Sequence, residues 1–205
     1  MLYIIGAGGH AKVVADTARL LNMSYRFLAQ EADDGAEIML EGHWLRDADI
    51  LALNHPCHLI CGLGSAGKVQ NKKEALYKFA NWDLLFKTLV HPSAVLGGDT
   101  QVGRGVYIAQ GAQVTRGAKI HDHVLINTAA VVDHDSEVGI GSHIASGAVL
   151  CGGVTCGPWV HVGAGSVIIQ GCHIAEGVVL GAGAVVTKDI TQPYTTWVGA
   201  PARRI

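Results

Sequence analysis

Asp133-His134-Asp135 sets an imidazole between two carboxylates. A carboxylate that orients an imidazole favours its taking up a proton near neutral pH, so His134 has the surroundings of a general base. Gly152 follows His134 by 18 residues, and a backbone N–H with no side chain beside it suits an acyl carbonyl on which negative charge develops. Asn127, Thr128 and His143 extend the polar group, and His143 and His161 are again 18 apart.

Other residues suggest other chemistry. Gly6-Ala7-Gly8-Gly9-His10-Ala11 follows a short apolar run and precedes a helical pattern, a G-x-G-x-x-A loop whose N–H groups and helix dipole suit a phosphate. Glu31 stands at the distance a dinucleotide fingerprint asks for, but about 88 residues are short for a two-lobed dinucleotide fold, which favours the phosphates of one nucleotide. His55, Cys57, His58 and Cys61 match no paired zinc-ligand spacing, and no metal is expected. Cys151, next to Gly152, is an alternative acyl-carrying nucleophile; no basic neighbour lowers its pKa, so a plain thiol at a turn is the better reading.

The 18-residue spacing matters because of a comb that runs through the second half of the chain. Every sixth residue from Val90 to Val186 is aliphatic except Cys156, sixteen of seventeen positions with no insertion. Four residues after each comb position stands a small residue or a valine in most units, and three after it ten of seventeen are Gly. A large inward residue, a small inward residue and a glycine able to take positive φ make one short strand and one tight corner. Three such units close a triangular coil of 18 residues, so the pattern predicts a parallel β-helix of five to six coils in which residues 18 apart lie in one column. Cys156 and Cys172 fall on inward positions as small core residues.

The first 88 residues read differently. Leu2 to Ile5 predicts a strand, Ala11 to Leu21 a helix, Tyr25 to Leu28 and Leu59 to Leu63 further strands, and Gly67 to Ala80 a helix with Lys72, Lys73 and Lys78 exposed. This is a small α/β, Rossmann-like domain over 1–88. His91-Pro92-Ser93-Ala94 marks the junction, and 89–205 hold the β-helix and a C-terminal tail.

Composition narrows the function classes. The 205 residues are 49% hydrophobic, with no apolar run near the roughly 20 residues of a membrane span and no signal pattern at the N-terminus, so a soluble, cytoplasmic chain is expected. Lys plus Arg is 15 against 17 for Asp plus Glu, scattered along the chain, which argues against nucleic acid or a membrane as partner. Five cysteines without a secretory signal read as free thiols.

Gly6-Ala7-Gly8-Gly9-His10-x-Lys12, His91-Pro92-Ser93-Ala94, Asn127-Thr128 followed by Asp133-His134-Asp135, and Val198-Gly199-x-Pro201-Ala202-Arg203 together resemble the bacterial nucleotide-sugar and sialic acid acetyltransferases of the hexapeptide-repeat superfamily. The resemblance covers essentially the whole chain. It implies a left-handed β-helix, a homotrimer, and acetyl-CoA lying in the groove between neighbouring β-helices. It implies His134 as base with Asp135 raising its basicity, contacts to acetyl-CoA from His143, Gly152, Ala164 and Ala182, and a nucleotide-linked amino sugar held by Gly8, Gly9, His10, Gly64 and Asn127. The reaction implied is N-acetylation of that sugar. O-acetylation of a sialic acid or another sugar hydroxyl, and a non-catalytic nucleotide-sugar scaffold, are the alternatives.

Overall fold

The structure is a computed structural model and describes residues 1–29, 44–46, 57–64, 69–79 and 85–205. Glu31, His55 and the start of the predicted helix at Gly67 lie outside the described residues. At the N-terminus, β1 (Leu2–Ile5), α1 (Gly9–Leu20), β2 (Tyr25–Ala29), β3 (Trp44–Arg46), β4 (His58–Cys61), α2 (Val69–Lys78) and β5 (Leu85–Phe86) follow one another. The five strands form a parallel sheet in the order β3-β2-β1-β4-β5. The helix α1 buries Ala11, Val14, Ala15 and Ala18, the i, i+3, i+4, i+7 stripe of a helix lying on a sheet.

From β6 (Leu89–Val90) to β22 (Val185–Val186) the chain is a β-solenoid of two-residue strands in about six turns. Its strands stack in three parallel sheets with partners 18 residues apart, such as Val131 with Val149 and His143 with His161. The inward comb residues, among them Ile126, Val132, Ile144 and Leu150, are fully buried, with Ala130, Ala148 and Val154 filling the narrow spaces between them. Leu96, in the lowest coil, is 38% exposed because no coil lies below it to cover it. β23 (Thr196–Val198) and β24 (Arg203–Arg204) extend one sheet at the far end.

Three faces result, distinguished by their outward residues. The first carries Tyr107, Leu125, His143 and His161, the second Val95, Gln113, Val131, Val149, Val167 and Val185, the third Gln101, Lys119, Glu137, Thr155 and His173. The α/β domain covers the first face: Leu89, Tyr107 and Leu125 share a core cluster with Ala11, Val14 and Ala18, and Thr17 Oγ1 meets Tyr107 Oη at 2.7 Å in the buried seam. The third face is polar and suits water. The second is a stripe of valines with no described element packed over it.

The corners explain the glycines that recur three residues after the comb positions. All ten corner glycines from Gly105 to Gly183 have φ between 65° and 75°, a region costly for residues with a Cβ. On the corner between the third and first faces, glycine alternates with a ring from the coil above: His123 lies over Gly105 and Trp159 over Gly141. A Cβ on Gly141 would come within 2.3 Å of the Trp159 ring at a φ of +71°, so both backbone and neighbour resist it. Gly141→Ala is expected to lower stability by about 2–4 kcal/mol, the left-handed strain plus a displaced buried indole, read as a fall in the urea midpoint.

One expectation needs correcting. Lys73 is half-buried, its Nζ 5.5 Å from the Trp159 ring centroid, and Lys78 is exposed, but Lys72 is only 2% exposed. Its Nζ donates to the carbonyl oxygens of His123 at 2.7 Å and Gly141 at 3.1 Å. The helix α2 sits on the corner that those residues form, and the ammonium supplies donors to two corner carbonyls that α2 shields from water.

Candidate active site

His134 stands on the corner between the second and third faces, directly after the strand Val131–Val132. Its side chain is 63% exposed, and its Nδ1 lies 2.9 Å from Asp135 Oδ2. An ionised carboxylate only accepts, so Nδ1 carries the proton and Nε2 is left as the basic nitrogen. The Asp135 bond, followed by the charge of Asp133, raises the His134 pKa above its ordinary value. Asp133 is fixed in turn: its Oδ1 accepts from the His134 N–H at 2.8 Å and from Thr115 Oγ1 at 3.0 Å, and its own pKa is lowered by those bonds.

The backbone is committed to this arrangement. Asp135 has φ +58° at a corner position that ten other units give to glycine. Its carboxylate lies over Gly117, where a Cβ would come within 2.5 Å of Oδ1. Gly152 is the coil-neighbour of His134, and a Cβ there would stand 2.5 Å from Nε2. The Gly152 N–H donates to no group among the described residues, while the next N–H, of Gly153, donates to His134 O at 2.9 Å. The basic nitrogen and an uncommitted backbone donor therefore share one spot.

Asn127 and His143 do not join them. The single polar cluster expected from the sequence divides in two, because one face of the coil separates residue 127 from residue 134. Asn127 and His143 belong to the first face beside the corner leading to the second. Asn127 Oδ1 accepts the Thr128 N–H at 2.8 Å, which turns Nδ2 toward His143 Nε2 at 3.2 Å. Since Nδ2 only donates, His143 Nε2 is an acceptor and its proton sits on Nδ1. Burial, followed by the charges of His161, Lys72 and His10, pushes the His143 pKa down to about 2, so the ring is neutral. The His161 ring lies edge-on at 4.9 Å, and its pKa is lowered by burial and Lys72. Ala164 and Ala182 share a column at the same corner, with Thr128 and Ser146 in line below.

A third group lies on the α/β domain. Gly8, the N-cap of α1, makes no side-chain cap and has open space where a Cβ would be, as has Gly9. His10 packs edge-on against Tyr107 at 5.6 Å, and its buried Nε2 has no hydrogen-bond partner among the described residues. Burial and Lys72 push its pKa down to about 4. Gly64, after β4, faces His10, with a Cβ position 3.8 Å from His10 Cβ. Gly62 admits no Cβ because Ile4 and Ala11 close on it.

Cys151 is partly exposed, while Cys61 and Cys156 are buried with thiols pushed up by burial, Cys156 to about 12. Among the described residues no group of three or more His, Cys, Asp or Glu is arranged to hold a metal ion, and no helix is long and apolar enough to cross a membrane. An open hollow of about 250 Å³ on the third face, between Gln101, Lys119 and His121, includes neither the base nor the glycine loop.

Residues 1–73 match the family model of the PglD N-terminal domain. Among solved structures, the acetyltransferase domain of PglB from Neisseria gonorrhoeae is 29% identical with a TM-score of 0.86, the match covering 100% of this chain and 98% of that one. PerB from Caulobacter crescentus, solved in complex with CoA and GDP-perosamine, is 29% identical with a TM-score of 0.88, covering 100% and 96%. WeeI from Acinetobacter baumannii, 24% identical with a TM-score of 0.84 over 100% and 99%, shares the fold. No curated protein matches the chain.

The solenoid, the N-terminal domain and these likenesses fit a hexapeptide-repeat sugar acetyltransferase. The chain is an enzyme of the acetyltransferase class.

Proposed function

We propose that the protein transfers the acetyl group of acetyl-CoA to the amine of a nucleotide-linked amino sugar, with His134 as general base. The observation that carries this reading is the pairing of His134 Nε2 with Gly152, a base and an uncommitted N–H on one open corner. The likeness to PerB, crystallised with CoA and GDP-perosamine, supplies the substrate classes. The sugar nitrogen attacks the thioester carbonyl, the Gly152 N–H binds the oxyanion, and His134 Nε2 removes a proton from the nitrogen. Collapse breaks the C–S bond, and the protonated imidazole returns its proton to the departing CoA thiolate. Gly8, Gly9, His10 and Gly64 hold the nucleotide sugar, and His143, Gly152, Ala164 and Ala182 line the path of acetyl-CoA, with Asn127 holding His143 in the neutral Nδ1–H form.

His134 and Gly152 stand on one corner column of the β-helix, His143, Ala164 and Ala182 at or beside the next, and the valine face runs between the two columns. Packing that face against another copy around a three-fold axis sets the His134 corner of one chain beside the His143 corner of the next, and a homotrimer assembles three shared sites. A charge in the middle of the stripe blocks such packing. Val149→Asp is expected to shift the protein from trimer to single chain in light scattering and to abolish turnover, with the far-UV CD spectrum unchanged.

The pH dependence follows from Asp135. The base must be unprotonated, so kcat/KM falls as pH drops through the His134 pKa. Asp135→Asn removes the first cause of the raised pKa, and the acid limb is expected to move to lower pH. A limb that stays in place contradicts the role given to Asp135.

The acceptor atom is tested with matched nucleotide sugars that carry an amine or a hydroxyl at the same carbon. An amide product resists hydroxylamine and an ester does not. Acetylation of the amine alone supports the reading, and acetylation of the hydroxyl alone replaces it with O-acetylation.

A further inference from the structure

The corner that carries His134 is built from two neighbouring columns. One runs through Gly98, Arg116, His134 and Gly152, the other through Asp99, Gly117, Asp135, Gly153 and Gly171. Every residue of the second column has φ between 58° and 75°. A residue with a Cβ takes that region at a cost, so the two aspartates are the places where this column carries a carboxylate against backbone preference. Asp135 has its reason in His134. Asp99 makes no contact with the base; its Oδ2 meets Arg116 Nη2 at 2.6 Å, both side chains being largely exposed. An ion pair so exposed adds little to stability and does not by itself account for the strained corner.

Arg116 stands between the two carboxylates. Asp99 is one coil below Gly117 and Asp135 one coil above it, and the backbone repeats the relation: the Gly117 N–H donates to Gly98 O at 3.2 Å and the Asp135 N–H to Arg116 O at 3.1 Å. The Asp135 carboxylate hangs over Gly117, the residue after Arg116, so closely that a Cβ there would come within 2.5 Å of Oδ1. Asp135 Oδ2 is taken by His134 Nδ1, and Oδ1 has no hydrogen bond among the described residues. A guanidinium binds carboxylates with two parallel N–H bonds, so one turned upward on this corner competes with the imidazole for Asp135. The contact with Asp99 turns it downward.

We propose that Asp99 is a positioning residue for the base: it holds the Arg116 guanidinium one coil lower and so leaves the Asp135 carboxylate to His134. This rests on the reading that His134 is the general base.

The charged and titratable groups that face the His134–Asp135 pair are few. Asp133, from the same coil, is already bound by Thr115 Oγ1 and the His134 N–H. Arg116 and Asp99 come from the coils below, and Cys151 stands beside Gly152 in the coil above. Arg116 is the cation of this set.

The experiment has two readouts on the full chain: the titration of the His134 ring by NMR without substrates, its resonance assigned by its loss in His134→Ala, and the pH profile of kcat and kcat/KM. Asp99→Gly removes the carboxylate and puts at the corner the residue that the column uses elsewhere, so the thermal midpoint is expected to hold. With Arg116 released toward Asp135, the ring titration and the acid limb of kcat/KM are expected to move together to lower pH, and kcat to fall by about tenfold, part of what a positioned base contributes. Arg116→Ala alone, and Asp99→Gly combined with Arg116→Ala, are each expected to lie within about twofold of the wild type, the non-additivity of a coupled pair. A purely structural corner predicts a folded Asp99→Gly variant with the ring titration and kcat unmoved. That result overturns the proposal, as does a titration that moves while kcat holds, or a double variant as impaired as Asp99→Gly. Should Asp99→Gly not fold, Asp99→Asn takes its place with the same outcomes. A His134→Ala variant that keeps more than half the rate overturns the underlying reading of the base, and this inference with it, whatever the ring titration shows.

Discussion

His134→Ala is expected to lower kcat by about 10²–10⁴ while the KM for acetyl-CoA and for the sugar changes by no more than about twofold, since a positioned base contributes a factor of that order. The ring is exposed and its described contacts are local: Asp135 beside it, Gly152 above and its own backbone. Removing it takes no core residue away, so the thermal midpoint is expected to hold. The loss should appear in the chemical step, as slower single-turnover thiol release at saturating substrates. A variant that keeps more than half the rate removes His134 from the mechanism and turns attention to Cys151. The cysteine route makes its own forecast, an acetyl thioester on the protein in the absence of acceptor, visible as added mass.

Gly152→Ala is the sharper test because it adds a single methyl group. Gly152 is not in the left-handed region, so its backbone accepts alanine without strain. The new Cβ stands 2.5 Å from His134 Nε2 and 2.6 Å from Cε1, and normal contact requires the ring to move by about 1 Å. An exposed imidazole makes that shift at little cost to folding, but it carries Nε2 away from the uncommitted N–H and strains the bond to Asp135. A misplacement of that size costs about 10²-fold in rate. The expected result is a fall of about that size in kcat with unchanged urea stability, the reverse of Gly141→Ala, where stability falls and the His134 corner is untouched.

The column rule explains why so much of this was legible. A triangular coil admits only aliphatic residues at its comb positions, and the stacking of coils converts a separation of 18 in sequence into contact in space. That conversion sets Gly152 over His134 and His161 beside His143 from the sequence alone. The same geometry keeps Asn127 and His134 apart: seven residues are more than one face of the triangle, so the two cannot share a corner. The burial of Lys72 is not legible in the sequence, for a different reason. Lysine is almost never fully buried, and its acceptors are backbone carbonyls 51 and 69 residues further on, which carry no signature in side-chain type. The ring-over-glycine alternation of His123 and Trp159 was visible as two breaks in the glycine pattern, but what docks on them depends on how α2 leaves the sheet. The valine stripe was likewise present at 18-residue spacing, and its meaning comes from the other two faces, one covered and one polar.

The central claim is acetyl transfer from acetyl-CoA to a nucleotide-linked amino sugar. Its most direct test is thiol release from acetyl-CoA, followed with Ellman's reagent, across UDP-, GDP-, dTDP- and CMP-linked sugars bearing free amines. The account predicts turnover with at least one amino sugar, one thiol released for each amide formed, and none when the amine is already acetylated. Acetyl-CoA that binds but releases no thiol with any amine, while a hydroxyl-bearing sugar is turned over, contradicts it.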